Sequence, residues 1–349
     1  MNLSDFPHTR FNPLTGDWVL VSPHRAKRPW QGKIEQPSAL QSVLPYDPKC
    51  FLCPGNHRAG NVKNPSYQTT FVFDNDFAAL LPDIPEESMD EKGLLVARGE
   101  QGLCRVVCHS PRHDLSFPLL THIEICAVID TWACEYMEIG SWENINHVLI
   151  FENRGEIAGA SSLHPHSQLW ANKSIPNLAA VETFRQEEYA KSKSSCMLCD
   201  YVKLELQMQS RMILRNDSFA ALTPFWAVWP YEVMVLPTEH HADLGGLPRK
   251  ARSDFADILN RLSIRFDNLF CAPFPYSMGI HQRPTDGKEH KEWHFHLHFF
   301  PPLLRSTSVR KLMAGYEVLA MPQRDVTPED SARKLRNCSD IHYTNQKTA

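Results

Sequence analysis

The sequence predicts an α+β protein that contains the same unit twice, with mostly antiparallel sheets and flanking helices. Three observations support this prediction. Short strand-like segments occur in both halves, one long helix-like segment precedes a histidine-rich strand in each half, and several landmarks recur in the same order. Recurrence at matching places indicates a duplicated structural unit. The length of 349 residues suits two modules better than one core.

The recurring landmarks are four pairs of short segments. They are Cys50-Phe51-Leu52-Cys53 with Cys196-Met197-Leu198-Cys199, residues 75–80 with 216–222, residues 106–113 with 233–240, and residues 164–168 with 294–298. Any one pair could arise by chance, but four pairs in one order indicate duplication. We therefore predict a first unit over residues 1–177 and a second over residues 178–349.

The apolar periodicity predicts where strands and helices lie. Short strands are expected at residues 18–21, 105–108, 147–152, 212–214 and 232–236. Helix-like spacing marks residues 119–140 and an amphipathic stretch after Pro248. The charged segment 182–193 is expected to form a helix that leads into the second unit. The acidic segment 83–92 is expected to be a solvated loop.

The composition is that of a soluble globular protein, with 42% hydrophobic residues and a net charge of −4. This balance gives no general reason to expect nucleic-acid or membrane binding. Residues 1–7 lack the apolar core of a signal peptide, and no apolar stretch could span a bilayer. Without a signal peptide, the ten cysteines are expected to be reduced thiols and metal ligands. We therefore expect a cytoplasmic protein.

Two segments carry histidines at alternate positions. If both are extended, alternate side chains lie on one face. The residues on these two faces are His164, His166, Gln168, His294, His296 and His298. A face with several imidazoles is costly to bury unless each nitrogen has a partner. Each face is therefore a candidate functional site.

Cys50 and Cys53 have the spacing of a metal knuckle. Two thiolates in a tight turn supply half of a tetrahedral zinc shell, and histidine or carboxylate ligands complete it. His113 and His164 are the best partners because they lie at the landmarks of the same unit. The alternatives are a redox pair or two buried thiols, but a redox pair normally has a thioredoxin-like context that this sequence lacks.

His166 is the candidate nucleophile, because an imidazole can attack phosphorus and leave again. Gln168 could donate a hydrogen bond to a phosphate oxygen. The alternative is that His166 only shares in metal binding. Short basic runs suit phosphate binding, although such runs are more often solvated turns. These basic residues are Arg25, Lys27, Arg28, Arg310 and Lys311.

Phe151-Glu152-Asn153-Arg154-Gly155, Gly159 and His164-Pro165-His166-Ser167-Gln168 resemble the active-site signature of the galactose-1-phosphate uridylyltransferase family. This family belongs to the histidine-triad superfamily. The resemblance also covers residues 10–16, 23–32, 75–80, 274–279 and 301–316. It implies duplicated histidine-triad-like units, a homodimer and a ping-pong reaction in which UDP-glucose uridylylates His166 and galactose 1-phosphate then accepts the group.

The resemblance also implies roles for individual residues. The zinc ligands would be Cys50, Cys53, His113 and His164, and the ligands of a second site for iron or another divalent metal would be Glu182, His281, His296 and His298. Residues that hold the UDP-sugar would be Arg25, Arg28, Asn75, Asp76, Asn153, Ser161 and Gln168. Lys311, Tyr316, Glu317 and Gln323 would reach the hexose across a dimer. One departure is Ser162-Leu163, where the family often has Asn-Pro.

Two other functions fit parts of the sequence. Another histidine-triad nucleotidyltransferase or a sugar-nucleotide phosphorylase would keep His166 and Gln168 but would differ in the C-terminal hexose segment. A metal-bound, nucleotide-binding module without turnover would have a damaged strand at His166 or Gln168, and both residues are present.

The duplication also predicts a metal site outside the family pattern. Cys196 and Cys199 correspond to the first cysteine pair, and His240 and His294 correspond to its histidine partners. We hypothesise that these four residues bind an additional zinc ion. The alternative is a relic in which the cysteines are half-buried thiols and His294 is exposed.

Overall fold

The computed structural model describes residues 6–27, 44–303 and 309–346, and over these ranges it confirms the α+β prediction. The strands in chain order are β1 (His8–Phe11), β2 (Trp18–Val21), β3 (Phe71–Asp74), β4 (Ser88–Glu91), β5 (Leu95–Arg98), β6 (Gly102–Cys108), β7 (His147–Arg154), β8 (His166–Asn172), β9 (Met212–Arg215), β10 (Phe219–Leu222), β11 (Val233–Pro237), β12 (Tyr276–His281), β13 (His296–Phe300) and β14 (Gln323–Arg324). The helices are α1 (His122–Gly140), α2 (Asn177–Lys193), α3 (Met197–Met208), α4 (Arg249–Phe270), α5 (Tyr316–Leu319) and α6 (Pro328–Arg336).

The centre of the fold is one nine-stranded antiparallel sheet to which both halves contribute. Its strand order is β3-β6-β8-β7-β12-β13-β11-β10-β9. The halves meet where β7 pairs with β12, with Tyr276 opposite Arg154. On either side of this joint, a strand that begins with a histidine lies between two strands of its own half. Both halves of the chain therefore contribute neighbouring strands to a single continuous sheet.

Helices α1 and α4 cover one face of this sheet. Alternation along β8 and β13 directs Leu169 and Leu297 into the core beneath these helices. The indole Nε1 of Trp132 on α1 donates a 2.7 Å hydrogen bond to Ser167 Oγ. Since alternate residues point the other way, the histidines of β8 and β13 lie on the opposite face. No helix within the described ranges combines enough length and apolar character to cross a bilayer.

Two predictions about local structure are wrong. Residues 83–92 are not all loop, because β4 pairs with β5 as a hairpin. Strand β4, which lies within this segment, is exposed along its whole length and has no apolar alternation that would predict a strand. The long helix begins at His122 rather than residue 119. Thr121 caps it, since its hydroxyl accepts the Glu124 amide hydrogen while the Glu124 carboxylate accepts the Thr121 amide hydrogen.

One of the four recurring landmarks does not occupy the same place in both halves. Residues 75–80 follow β3 as a turn, and β3 itself pairs with β6. Residues 219–222 of the corresponding segment instead form β10, which pairs with β11. The two segments are therefore similar in sequence but differ in secondary structure and strand pairing.

A buried ion pair joins the two halves. Arg154 at the end of β7 donates to both carboxylate oxygens of Asp267 on α4, over 2.6 Å and 2.8 Å. His342 Nε2 lies 3.2 Å from the same carboxylate. Burial opposes ionisation of Asp267, but the Arg154 charge and these hydrogen bonds hold its pKa below the ordinary value. The signature residue Arg154 thus contacts the second half from the helix-covered side of the sheet.

We expect Arg154→Met to lower the free energy of unfolding by about 3–5 kcal/mol, because it leaves the buried Asp267 carboxylate without its main partner. Urea unfolding followed by circular dichroism measures the change. Arg333→Met is the control, since Arg333 pairs with Asp330 at the surface and such pairs contribute about 0–1 kcal/mol. Equal losses in both variants would show that the buried pair does not hold the halves together.

Candidate active site and metal centres

The face of the central sheet opposite α1 and α4 carries the histidines of both halves, but His164 and His294 precede their strands. Pro165 has no amide hydrogen to donate to the ladder between β8 and β6. In the second half the Phe295 amide donates to the His241 carbonyl over 2.6 Å, so it also leaves the ladder. Of each predicted set of three, His166 and Gln168 lie within β8 and His296 and His298 lie within β13, whereas His164 and His294 each stand two residues before their strand.

His166 is the first residue of β8 and is only partly buried. Its Nδ1 lies 2.8 Å from the His164 carbonyl oxygen. A carbonyl can only accept, so Nδ1 carries the hydrogen and Nε2 keeps its lone pair. Burial lowers the pKa of His166, which favours the neutral ring. This tautomer leaves Nε2 chemically able to act as a nucleophile.

Gln168 lies two residues further along the same face of β8. Its Oε1 accepts hydrogen bonds from Trp170 Nε1 at 3.1 Å and from Asn75 Nδ2 at 3.4 Å. Both donors hold the amide oxygen, so the amide nitrogen keeps its hydrogens for another acceptor. Trp170 was not among the predicted site residues. Its place on the same strand face could have identified it.

The other residues expected to hold a UDP-sugar do not form one cluster in the structure, and each has its own partner or exposure. Asn153 on β7 accepts a 2.8 Å hydrogen bond from Ser277 on β12. Asp76 forms a 2.6 Å ion pair with Arg58, and Ser161 is exposed in the connection between β7 and β8. Arg28 lies outside the described residues.

The C-terminal residues expected to contact the hexose form a cluster of their own. Glu317 pairs with Lys311, and its other carboxylate oxygen lies 3.2 Å from Arg324 Nη2. The Gln323 amide also donates to Glu317, and the Gln323 side chain contacts Asp325. Asp325 in turn pairs with Arg25, and Tyr316 is half exposed. Across the described ranges, no hydrogen bond or ion pair joins this cluster to His166 or Gln168.

Cys50, Cys53, His113 and His164 form a buried cluster whose ligand atoms all lie within 4.8 Å of one another. Cys53 Sγ lies 3.6 Å from His113 Nδ1 and 3.5 Å from His164 Nδ1. His164 Nε2 donates to the Ser110 carbonyl over 2.9 Å, which leaves Nδ1 as the ligand atom. Ser162, which stands at the departure from the family pattern, accepts the His164 amide hydrogen through its hydroxyl.

The donor set of this cluster fits zinc. Two sulfurs and two imidazole nitrogens in tetrahedral reach are the usual shell of a structural zinc ion. Burial raises the pKa of the Cys53 thiol to about 11, and a divalent cation would offset that cost by stabilising the thiolate.

Glu182, His281, His296 and His298 form a second cluster with ligand atoms within 4.8 Å of one another, and all but the partly buried His281 are buried. His281 Nδ1 lies 3.0 Å from both Glu182 oxygens. Buried His296 Nε2 and His298 Nδ1 have no hydrogen-bond partner among the described residues. Such orphaned nitrogens beside a carboxylate fit a divalent metal such as iron.

His147 at the start of β7 is an unpredicted neighbour of the second cluster. Burial lowers its pKa to about 4, and the charges of His281 and Glu182 also act on it. The sequence gives little indication of this contact, because His147 lies about 150 positions before the histidines of β13.

The comparison with protein families covers nearly the whole chain. The model of the N-terminal domain of galactose-1-phosphate uridyl transferase matches residues 1–176, and that of the C-terminal domain matches residues 182–347. The chain belongs to the galactose-1-phosphate uridyl transferase family. The predicted resemblance and the prediction of an enzyme of this family are confirmed.

Curated relatives of this family match over almost their full length. The galactose-1-phosphate uridylyltransferase of Haemophilus influenzae is 46% identical over 340 residues, which are 97% of each chain. That of Saccharomyces cerevisiae is 42% identical and covers 98% of this chain and 97% of its own. That of Rattus norvegicus is 43% identical and covers 97% and 90%.

Solved structures agree with the fold. A uridylyltransferase structure superposes with a TM-score of 0.75 at 26% identity and covers 94% of this chain and 97% of its own. An ADP-glucose phosphorylase from Arabidopsis thaliana with bound ADP-glucose superposes with a TM-score of 0.74 and covers 95% and 99%. Its identity of 23% shows a shared fold alone.

Proposed function

We propose that the protein transfers a uridylyl group from UDP-glucose to galactose 1-phosphate and releases glucose 1-phosphate and UDP-galactose. The observation that carries this proposal is the orientation of His166. Its Nδ1 is held by a backbone carbonyl, so its Nε2 keeps the lone pair, and Gln168 lies two residues further along the same strand face. Family membership supplies the substrates, and we place the reaction in galactose metabolism through the Leloir pathway.

The reaction proceeds in two displacements at phosphorus. The Nε2 lone pair of His166 attacks the α-phosphorus of UDP-glucose, so a phosphorus–nitrogen bond forms as the bond to the glucose 1-phosphate oxygen breaks. A phosphate oxygen of galactose 1-phosphate then attacks the same phosphorus and displaces Nε2. The ring is cationic in the intermediate, and the His164 carbonyl stabilises that charge through the Nδ1 hydrogen.

Positioning and charge stabilisation dominate this mechanism. The leaving sugar phosphate is a stable anion, so it needs little help from a general acid. The free amide hydrogens of Gln168 donate to a non-bridging oxygen whose charge grows in the transition state. Trp170 and Asn75 hold the amide in that direction. Asp76, Asn153 and Ser161 take part in binding the nucleotide sugar.

Two metal centres support the site. Cys50, Cys53, His113 and His164 would hold zinc, which fixes the position of the His164 carbonyl that orients His166. The cluster of Glu182, His281, His296 and His298 would hold iron or another divalent ion, which would stabilise the sheet at β12 and β13. A bound metal supplies structural rigidity at both places.

Each half of the chain, residues 1–177 and 178–349, is one histidine-triad-like unit, and the enzyme is a homodimer. The C-terminal cluster of Lys311, Tyr316, Glu317 and Gln323 lacks contacts to His166 within the described part of one chain. A partner chain would bring this cluster to the hexose. Arg25, linked to the cluster through Asp325, would act at the same place.

We assign the enzyme to the cytoplasm, without nucleic-acid or membrane partners.

The test of this function is an assay of glucose 1-phosphate release from UDP-glucose. A small burst is expected without acceptor, and steady turnover with formation of UDP-galactose is expected when galactose 1-phosphate is added. Turnover with inorganic phosphate as the acceptor instead would identify a sugar-nucleotide phosphorylase. Absence of both turnover and burst in the metal-loaded protein would support a module without catalysis.

A further inference from the structure

We propose that Cys196, Cys199, His240 and His294 form a third metal centre, a zinc knuckle that belongs to the second unit. Their ligand atoms all lie within 4.8 Å of one another. The geometry carries this inference, because the four residues come from segments up to 98 positions apart in the chain. The centre would be separate from the two described above and does not depend on the proposed reaction.

The contacts are those of a Cys₂His₂ set. Cys199 Sγ lies 3.5 Å from His240 Nδ1 and 3.3 Å from His294 Nδ1. Cys196 Sγ lies 3.7 Å from His294 Nδ1. Sulfur and nitrogen atoms that surround a tetrahedral zinc ion at about 2.3 Å and 2.0–2.1 Å are separated by about 3.5 Å. The observed separations therefore leave room for the ion at the centre.

The arrangement of the two imidazoles repeats that of the first cluster. The rings of His113 and His164 have centroids 5.4 Å apart and an angle of 68° between their planes. The rings of His240 and His294 have centroids 5.5 Å apart and an angle of 78°. A relic with drifting side chains would not keep both rings in this mutual orientation.

The hydrogen bonds that orient the ligands are repeated as well. His294 Nε2 donates to the Pro237 carbonyl over 3.0 Å, which directs Nδ1 toward the sulfurs, as the Ser110 carbonyl does for His164. The His294 carbonyl accepts a 2.8 Å hydrogen bond from His296 Nδ1, as the His164 carbonyl does from His166. The second unit thus keeps the ligands and the partners that fix their tautomers.

The position of the cysteines favours thiolate ligands. Cys196 is the N-cap residue of α3 and Cys199 lies in its first turn. The partial positive charge of a helix N-terminus stabilises thiolates there. With two thiolates and two neutral imidazoles, the set selects zinc over the hard cations calcium and magnesium.

A metal ion at this site would link three elements of the second unit to one another. Its cysteines belong to the start of α3, His240 follows β11, and His294 precedes β13. Gln186 on α2 also accepts the His294 amide hydrogen over 3.2 Å. His240 is exposed and the cysteines are partly exposed, whereas the first cluster is buried. We therefore expect zinc to leave this centre to a chelator faster than it leaves the first one.

Metal analysis of the full-length protein tests the proposal. Zinc-loaded wild type and the Cys196→Ser/Cys199→Ser variant are compared by mass spectrometry of total metal, and the variant is expected to lose about one equivalent per chain. Cobalt replacement gives a second readout. Thiolate-to-cobalt absorption at saturation should fall by about half in the variant, since each Cys₂His₂ set contributes two of the four thiolates.

The matched control is Cys271→Ser/Cys338→Ser, which also removes two thiols but none from a cluster. It should keep the wild-type metal content. If the Cys196→Ser/Cys199→Ser protein does not fold, the His240→Ala variant tests the proposal instead. His240 is exposed, so its side chain can be removed without leaving a cavity in the core. His240→Ala is expected to release one zinc to a chelator at least about tenfold faster. Unchanged zinc content and cobalt absorption in the cysteine variant, or unchanged release from His240→Ala, would overturn the proposal.

Discussion

Replacing His166 with glycine is expected to abolish uridylyl transfer and to leave the fold intact. The imidazole is the only group in the proposed mechanism that bonds to phosphorus, so no intermediate can form without it. The side chain is partly exposed on the sheet face opposite α1 and α4, and its one protein hydrogen bond among the described residues goes to the His164 carbonyl. Steady-state assay of UDP-galactose formation and thermal unfolding measure the two effects.

The intermediate itself gives the sharper measurement. Wild-type protein given UDP-glucose alone should gain the mass of one uridylyl group, and peptide mapping should place it on His166. His122→Ala is the histidine control, since His122 lies at the start of α1 on the covered side of the sheet. It should keep both the adduct and the activity. An adduct on another residue, or turnover by the His166→Gly protein, would contradict the covalent mechanism.

The sequence predicts the elements of this fold better than their arrangement. Apolar periodicity identifies α1 and α4, because each buries one face against the core. Strand β11 is buried on both faces, so its signal is a continuous apolar run. The hairpin of β4 and β5 buries nothing, so it leaves no periodic signal. Pairing of β7 with β12 joins residues more than a hundred positions apart. No local pattern specifies such a contact, so duplication predicts two units but not their shared sheet.

The clusters that could hold metal ions were more predictable than the contacts around Gln168. Cysteine spacing and repetition named all four residues of the first and third clusters, since ligand types are few and their spacing is constrained. Glu182 was available only through family resemblance, because a single carboxylate on a helix has no distinctive spacing. The contact of Asn75 with Gln168 depends on where the turn after β3 meets β8. Such contacts between distant segments require the fold.

Gln168→Arg is expected to lower activity by about two to three orders of magnitude, as loss of an oriented transition-state donor does. In the wild type, Trp170 and Asn75 both donate to the amide oxygen and so leave the amide hydrogens for the phosphate in the proposed mechanism. A guanidinium has no acceptor atom. It would leave both donors unpartnered, and its longer side chain would move the positive charge away from the place of the amide nitrogen.

The two half-reactions are expected to respond differently to Gln168→Arg. A cation near the phosphate can hold the uridylyl-enzyme too tightly, so the second displacement should slow more than the first. Rapid-quench measurement of adduct formation from UDP-glucose, and of adduct loss to galactose 1-phosphate, separates them. Gln68→Arg is the control, because it adds the same charge at an exposed position between the cysteine knuckle and β3. Unchanged rates of both steps in Gln168→Arg would show that Gln168 does not contact the phosphate.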